Sequence, residues 1–415
     1  MLRFLFPLRP RQWIGPLLVV GIAGALLGIM IVSTGWVDLS ARKPHPEGWA
    51  RFLHYTFRRS TASHRGPLPP PDLDSPLRIA AGAAYYGQVC AHCHGGPGLG
   101  QNPVVLSMHP RPQFLATDLA APGAAYSPRE LFRIVHAGVK YSAMPSWPAE
   151  RREDEIWHMV AFLRALPKLT PEQFRTLALV APQPPAAGAP SRAFGPIAVE
   201  RPYAMINRSE APVSSYSYRW PVYPFGADVA ASDPVATCAR CHGADGAGRG
   251  VFPNLTLQDP AYIRHTLAAF ASGRRQSGFM RVMASGLSPR QIGALADYYA
   301  ALPRKASAPA PASDPLGQKL ALVGDPARGL GPCAGCHGVT RAAAKAYPIL
   351  DGQSAWYVAN QMRVFRNGGR GGIEGENPMP AIAAKLDDGR IEAIARYYAA
   401  QPPARRQSFA AVAAR

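Results

Sequence analysis

Three copies of one five-residue pattern constrain this chain of 415 residues more than any other feature. The six cysteines form three Cys-x-x-Cys pairs, and a histidine follows each pair directly. The pentads are CAHCH at 90–94, CARCH at 238–242 and CAGCH at 333–337. No cysteine is left over for a disulfide framework or for a second zinc-binding pair. The length allows two to four domains of roughly 100 to 200 residues each, so several cores must exist.

The pentad is the attachment pattern of c-type haem. Two cysteines three positions apart reach the two former vinyl groups of one haem, and the adjacent histidine becomes the proximal iron ligand. A lone Cys-x-x-Cys pair would also suit a thioredoxin-like redox site or half a zinc site, but neither requires the histidine. We therefore predict three covalent haem c groups, attached at Cys90, Cys93, Cys238, Cys241, Cys333 and Cys336 and ligated by His94, His242 and His337.

Each copy also contains a methionine at the same register. In all three copies, 23 residues separate this methionine from the proline that ends the copy. Methionine is the usual second ligand in small electron-transfer cytochromes, because the thioether raises the reduction potential. The predicted ligands are Met144, Met280 and Met379. In the second copy Met283, at a separation of 20, stays an alternative, and His136 and His265 are alternative axial ligands or haem-edge groups.

Each copy closes with an amphipathic helical pattern before that proline, DEIWHMVAFLRALP, RQIGALADYYAALP and GRIEAIARYYAAQP. Sheet-like alternation is scarce, so the predicted fold class is all-α, with three tandem domains after an N-terminal transmembrane helix. The predicted segments are a signal anchor at 1–37, a juxtamembrane segment at 38–76, domain 1 at 77–167, an inter-domain segment at 168–232, domain 2 at 233–303, a linker at 304–315, domain 3 at 316–403 and a tail at 404–415.

The N-terminal segment is predicted to be an uncleaved signal anchor. No charge occurs from 12 to 37, and the 20 most apolar residues match the thickness of a bilayer core, with Trp13 and Trp36 at interfacial positions. A cleaved secretory signal is the alternative, but its apolar core is shorter and no small-residue cleavage site occurs around 31–35. Arginines before the span predict a cytoplasmic N-terminus and haem domains on the periplasmic side of a bacterial inner membrane.

The chain is strongly basic, with a formal net charge of +19 and a pI near 10.0. This charge suits anionic lipid or an acidic partner protein. We expect no nucleic-acid partner, because the basic residues are spread along the chain and form no known binding module. After the apolar span, aromatic and arginine residues recur at near-helical spacing between 49 and 59, which suits an interfacial helix or a basic connector.

On these residues the chain resembles the class I c-type cytochromes over nearly everything after Leu77. Copy one, through GAAYYGQVCAHCHG and ELFRIVHAGVKYSAMPSW, is similar to the single-haem domains of membrane-anchored cytochrome subunits. Copies two and three resemble tandem two-haem soluble cytochromes, through FPNLTLQDPAYIRHTLAAFASGRR and YPILDGQSAWYVANQMRVFRNGGR. The whole chain is similar in haem count to three-haem subunits of membrane dehydrogenases. The resemblance implies that six paired residues line the haem crevices, Pro253, Leu255 and Tyr262 with Pro348, Leu350 and Tyr357.

These features predict outer-sphere electron transfer. A six-coordinate His/Met haem has no open site for a substrate, and its iron changes only its oxidation state. We expect a membrane-anchored periplasmic three-haem carrier between a respiratory donor, a dehydrogenase or quinol-linked complex, and an acceptor such as a terminal oxidase. The alternative is a peroxidase-like haem enzyme in which the haem of copy two lacks its methionine.

Overall fold

The computed structural model describes residues 13–36, 40, 45–101, 103–121, 125–179, 234–248, 250–307, 312–338, 347–370 and 377–403. The predicted tail and most of the predicted inter-domain segment, from 180 onward, lie outside these residues. Within them the chain is helical, with no β-strand and two isolated bridges, Gly96 to Gly100 and Asp325 to Leu330. The predicted all-α fold class is confirmed.

The first described helix, α1, runs Ile14–Ser33 and exposes its apolar side chains along its whole length. Its mean hydropathy is 2.4, and among the described helices it alone is long and apolar enough to cross a membrane, although a signal sequence has the same character. Helix α2, Glu47–Ser63, follows and exposes Trp49, Phe52 and Tyr55.

Three separate hydrophobic clusters divide the rest of the described chain into three units, which we call module 1 (73–179), module 2 (234–302) and module 3 (312–403). Each module contains one pentad. Six of their helices begin with a serine, threonine or aspartate N-cap followed directly by proline. This is the expected start signal, because the N–H groups of the first turn have no partner within the helix and proline therefore loses no hydrogen bond there.

Module 1 is built around the packing of the helix Pro76–Tyr85 on the helix Glu153–Ala165. Tyr86, Phe162 and Phe174 are fully buried, and the Tyr86 hydroxyl donates to the Gly95 carbonyl beside the pentad at 3.0 Å. The elements are α3 Pro76–Tyr85, a π-helical turn Tyr86–Cys90, α4 Ala91–His94, α5 Pro103–Leu106, α6 Leu115–Asp118, α7 Pro128–Ala137, α8 Glu153–Ala165, a 3₁₀ turn Leu166–Lys168, α9 Pro171–Phe174 and a second π-helical turn Arg175–Leu179.

Modules 2 and 3 repeat one plan, in which the closing helix packs on the helix that follows the pentad loop. Module 2 consists of α10 Pro234–His242, α11 Pro260–Ala271, α12 Gly278–Ala284 and α13 Pro289–Ala301. Module 3 consists of α14 Pro315–Leu322, a 3₁₀ turn Pro326–Arg328, α15 Ala334–His337, α16 Ala355–Arg366, α17 Met379–Ala383 and α18 Asp388–Ala400.

Module 1 touches both other modules. Phe279 of module 2 packs against the core of module 1 and stacks on Tyr85, with ring centroids 4.6 Å apart. A β-carbon added at Gly278 would lie 2.3 Å from the Trp147 indole nitrogen, and one at Gly369 of module 3 would lie 2.1 Å from a backbone carbonyl of module 1. Glycine is therefore required at both contacts, because no side chain fits between the modules there.

Gly278→Ala is expected to destabilise the contact between modules 1 and 2 by about 1–3 kcal/mol, the usual cost of overpacking. The matched control is Gly293→Ala in α13, where an added β-carbon meets nothing within 4 Å. That change should stabilise by roughly 0.5–1 kcal/mol, because alanine restricts the unfolded chain. The measurement is denaturant unfolding together with hydrogen exchange at the Trp147 indole N–H. Equal effects of the two substitutions would contradict the close packing.

Candidate haem-binding sites

The histidine of each pentad is the last residue of its helix, and the same hydrogen bond orients its ring. Nδ1 of His94 lies 2.8 Å from the Gln113 carbonyl, and Nδ1 of His242 and of His337 each lie 2.9 Å from a proline carbonyl, Pro253 and Pro348. A carbonyl only accepts, so Nδ1 must carry the hydrogen. Nε2 is then left with its lone pair, which is the state of a metal-binding imidazole.

Burial supports the same protonation state. It lowers the pKa of His94 and of His242, so both imidazoles are neutral near pH 7 and available as ligands. Burial also raises the pKa of the Cys90 thiol to about 12 and raises that of Cys333. A thioredoxin-like pair needs a lowered thiol pKa, so these environments oppose that alternative for the pentads.

Modules 2 and 3 enclose one shared cavity of about 460 Å³. The predicted site residues of both modules line it, as do the six residues that the family resemblance placed in the crevices. Met283 lines the cavity as well as Met280, so the lining accommodates either methionine of the second copy. The site residues brought together are Cys238, Cys241, His242, Met280, Cys333, Cys336, His337 and Met379.

The backbone amide of each predicted methionine ligand donates to a nearby side-chain oxygen. Met144 donates to Ser142 at 3.1 Å, Met280 to Ser277 at 3.0 Å, and Met379 to the side chain of residue 377, an asparagine, at 3.1 Å. These bonds fix the start of each methionine segment. A polar residue two or three positions before each methionine is the sequence signal for this feature.

The alternative histidine ligands lie elsewhere. His136 is exposed near the end of α7, and His265 is exposed on α11.

In module 1, Cys90 packs against the hydrophobic core. The Met144 carbonyl accepts from the Val139 amide at 3.1 Å, which closes the loop that carries this methionine.

Two glutamines at corresponding positions join modules 2 and 3. Gln258 donates to the Ile349 carbonyl and accepts from the Ile349 amide, both at 2.9 Å. Gln353 donates to the Asn254 carbonyl at 3.1 Å and accepts from the Asn254 amide at 2.9 Å. Because each side chain makes the same pair of bonds to the opposite module, the two modules are related by an approximate two-fold axis.

Two arginines at corresponding positions also cross this interface. Arg275 lies 3.3 Å from the Tyr357 hydroxyl of module 3, and Arg370 lies 3.3 Å from the Tyr262 hydroxyl of module 2. Both arginines line the shared cavity, and among the described residues neither has a carboxylate within ion-pair distance. Burial, followed by the charge of Arg275, lowers the pKa of Arg370 to about 10.

Two positive charges in one cavity, each bonded to a neutral group, would be stabilised by an anion between them. The two propionates of a haem c are carboxylates, so this pair of guanidiniums fits the group that the pentads predict. The residues present therefore match haem in three respects, which are the paired thiols, the oriented Nε2 atoms and the unneutralised positive charge.

Seven residues of module 1 line the same cavity, among them the charged or imidazole side chains of Arg152, Asp154, Glu155 and His158. Burial alone would raise the pKa of Asp154, but the Arg152 guanidinium outweighs it and lowers the pKa to about 2. Burial raises the pKa of Glu155, and it lowers that of His158 to about 3, so this imidazole is neutral. These four residues could not be predicted as a site, because Asp154, Glu155 and His158 lie within the closing helix pattern, which predicts helix packing alone, and Arg152 lies just before it.

One family matches the chain three times. Its description is cytochrome C oxidase, cbb3-type, subunit III, and it matches residues 77–163, 227–298 and 332–397, more than half of the chain. Each matched segment contains one pentad.

Two kinds of characterised relative match a shorter part. A thiosulfate dehydrogenase electron acceptor from Thiomonas intermedia is 37% identical over 179 residues, which cover 42% of this chain and 82% of that protein. A cytochrome c4 from Pseudomonas aeruginosa is 35% identical over 166 residues, 39% of this chain and 82% of that protein. The solved thiosulfate dehydrogenase from Marichromatium purpuratum is 35% identical with a TM-score of 0.38, and the match covers 41% of this chain and 38% of that one.

Gln353→Ala is expected to loosen the interface between modules 2 and 3, because it leaves the buried amide and carbonyl of Asn254 without partners. Each such group costs about 1–3 kcal/mol. Hydrogen exchange at the Asn254 amide should accelerate by at least about tenfold. Gln318→Ala, at an exposed position of α14, is the control and should leave that exchange unchanged. Unchanged protection of Asn254 in Gln353→Ala would refute the role of this bond.

Proposed function

We propose, from the premise that this chain belongs to the cbb3-type cytochrome c oxidase subunit III family, that it carries electrons through three haem c groups at the outer face of a bacterial inner membrane. The chain is an electron-transfer cytochrome, and its family binds haem c covalently. We also propose the number of haems, their ligands, the redox partners and the membrane topology.

One observation carries the haem count. All three modules repeat the same two hydrogen bonds, from the pentad histidine to a carbonyl and from the methionine amide to a side-chain oxygen. A degenerate copy without cofactor would have no need to keep both. The proposed ligand sets are Cys90, Cys93, His94 and Met144 for haem 1, Cys238, Cys241, His242 and Met280 for haem 2, and Cys333, Cys336, His337 and Met379 for haem 3.

Bound haem supplies an iron that alternates between ferrous and ferric states without breaking a substrate bond. The residues of this chain would hold it by two thioether links, orient the proximal imidazole and exclude water with an apolar lining. Modules 2 and 3 share one cavity, so their two cofactors would occupy a single enclosure, which favours exchange of electrons between them. Arg275 and Arg370 would balance the propionate charge there.

The redox partners are proposed from relatives and from charge. Relatives in two species are named as electron acceptors of thiosulfate dehydrogenase, and another is named as the cytochrome subunit of a sulfide dehydrogenase. We propose a dehydrogenase as the electron donor and a terminal oxidase as the acceptor. The net charge of +19 supports a partner with an acidic docking surface, because opposite charges steer association.

The location is proposed from the first two helices. The exposed apolar helix α1 would span the inner membrane with its N-terminus in the cytoplasm, which leaves the haem modules in the periplasm. Helix α2, with exposed Trp49 and Phe52 among arginines, would lie along the periplasmic surface of the inner membrane.

Met280→Leu and Met283→Leu test the function and separate the two methionines. The wild-type holoprotein should contain three haems per chain by pyridine haemochrome, and its ferric form should show the near-infrared band of sulfur-ligated iron. Met280→Leu should remove about one third of that band, since one of three thioethers is lost. Met283→Leu should leave it unchanged.

The peroxidase-like alternative would show itself in the same samples. Binding of carbon monoxide or peroxide by the wild-type protein, with fewer than three sulfur-ligated haems, would overturn the electron-carrier proposal. Loss of part of the band in Met283→Leu instead of Met280→Leu would mean that Met283 is the ligand, and the proposed electron-carrier function would stand.

Ile22→Arg with Leu26→Arg tests the membrane anchor. Each charge costs about 2.5–3.5 kcal/mol at the centre of a membrane helix, so the double variant should leave the membrane fraction or fail to be exported. The control carries the same charges outside α1, as Leu68→Arg with Leu322→Arg at exposed positions. In spheroplasts, added protease should reach the haem modules of the wild type. A wild-type protein that is processed to a soluble periplasmic form would show a cleaved signal instead.

A further inference from the structure

Module 1 holds the segment of module 2 that carries Met280. Glu155, near the start of α8, is buried, and both of its carboxylate oxygens accept hydrogen bonds from the two residues that begin this segment. The Ser277 hydroxyl donates to Oε1 at 2.5 Å, and the Gly278 amide donates to Oε2 at 2.6 Å. These residues are more than 120 positions apart in sequence, so the contact depends on how module 1 docks.

Ser277 connects this carboxylate to the methionine. A hydroxyl has one hydrogen to donate, and at Ser277 it is directed to Glu155. The remaining lone pairs face the Met280 amide, which donates to Ser277 Oγ at 3.0 Å. Carboxylate, hydroxyl and amide thus form one hydrogen-bonded chain from module 1 to the backbone of the proposed ligand.

Glu155 is itself held in place within module 1. The Arg152 guanidinium lies 2.8 Å from Oε1, and the Trp147 indole donates to Oε2 at 3.2 Å. Arg152 also donates to the Gln276 carbonyl at 2.6 Å, one residue before Ser277. The carboxylate therefore has a fixed position, and the guanidinium binds the same segment at a second point, the Gln276 carbonyl.

The other two methionines are capped from within their own modules. Ser142, which accepts from the Met144 amide, donates its hydroxyl to the Val139 carbonyl of module 1 at 2.7 Å. Met379 is capped by Asn377, its neighbour in module 3. Among the described contacts of the three capping residues, Ser277 is distinguished by its bond to a charged group from another module.

We propose that Glu155 is a positioning residue for the axial sulfur of haem 2, so that docking of module 1 sets the strength of the Met280 ligation. This inference rests on the proposed function, in which Met280 is an iron ligand. A fixed Ser277 restricts the segment to the conformation that presents Met280 to the cavity. Without that restraint, detachment of the thioether gains more chain freedom, and a competing ligand replaces it more easily.

The test compares four substitutions in the full-length holoprotein. Glu155→Gln keeps one acceptor oxygen but turns an amide N–H towards the Gly278 N–H, and Ser277→Ala removes the connecting hydroxyl. Ser277→Thr keeps that hydroxyl. Asp154→Asn is the matched control, because Asp154 also pairs with Arg152 but contacts Asn360 of module 3 and not Ser277.

Three readouts report on haem 2 separately from general stability. They are its reduction potential, the affinity of the ferric protein for imidazole, and the ring-current-shifted ε-methyl resonance of Met280 in the ferrous protein, assigned by its loss in Met280→Leu. Glu155→Gln and Ser277→Ala should lower the haem 2 potential, shift that resonance and tighten imidazole binding by about tenfold or more. Ser277→Thr should keep the wild-type values. In all four variants the signals of haems 1 and 3 should stay at their wild-type positions.

The outcomes separate this inference from the proposed function. If Met280→Leu leaves all three bound methionine resonances in place, Met280 is not a ligand, and the ligand set proposed for haem 2 is wrong although three sulfur-ligated haems remain. If Met280→Leu removes one resonance but Glu155→Gln and Ser277→Ala change none of the three readouts, the positioning role alone is refuted. Equal changes in Asp154→Asn and Glu155→Gln would also refute it, because they would reflect loosening of the whole junction.

Discussion

The structure depends on one repeated interaction, the hydrogen bond from a pentad histidine to a backbone carbonyl. The bond joins the end of the cysteine-bearing helix to a loop 11 residues further on in modules 2 and 3, and 19 residues further on in module 1. It satisfies a polar nitrogen that burial would otherwise leave without a partner, and it directs the other nitrogen to one side of the loop. The fold of each module can therefore be described as packing around an oriented imidazole.

Modules 2 and 3 extend this plan by symmetry. Corresponding glutamines and corresponding arginines reach across their interface, so each bond on one side has a counterpart on the other. Symmetry also concentrates charge, because it brings Arg275 and Arg370 to the same cavity. In an empty apolar cavity that pair would be unfavourable, whereas opposite the carboxylates of a bound cofactor it becomes stabilising.

Much of this arrangement follows from local sequence. The pentads, the methionine register, the apolar helix α1 and the closing helix patterns predicted the fold class. They also predicted a set of candidate ligands, and those of modules 2 and 3 line one cavity. The Gln113 carbonyl that orients His94 could not be predicted, because a backbone acceptor carries no side-chain signal. Nor could the contacts of Glu155 with Ser277 and Gly278, because these residues lie in another module and the sequence around Glu155 resembles the first turn of any amphipathic helix.

Module 1 breaks the symmetry of the pair, and this asymmetry has a physical consequence. Its buried ion pair, Arg152 with Glu155, contacts the methionine segment of module 2. Its contacts with module 3 involve helix α16 and Gly369 instead. Arg152 also pairs with Asp154, and separating such buried charges from their partners is costly, so the junction tolerates little displacement. Two modules with nearly equal internal structure are therefore held in unequal environments. In the proposed function, docking of module 1 would give the haems of modules 2 and 3 different surroundings, although their proposed ligand sets are the same.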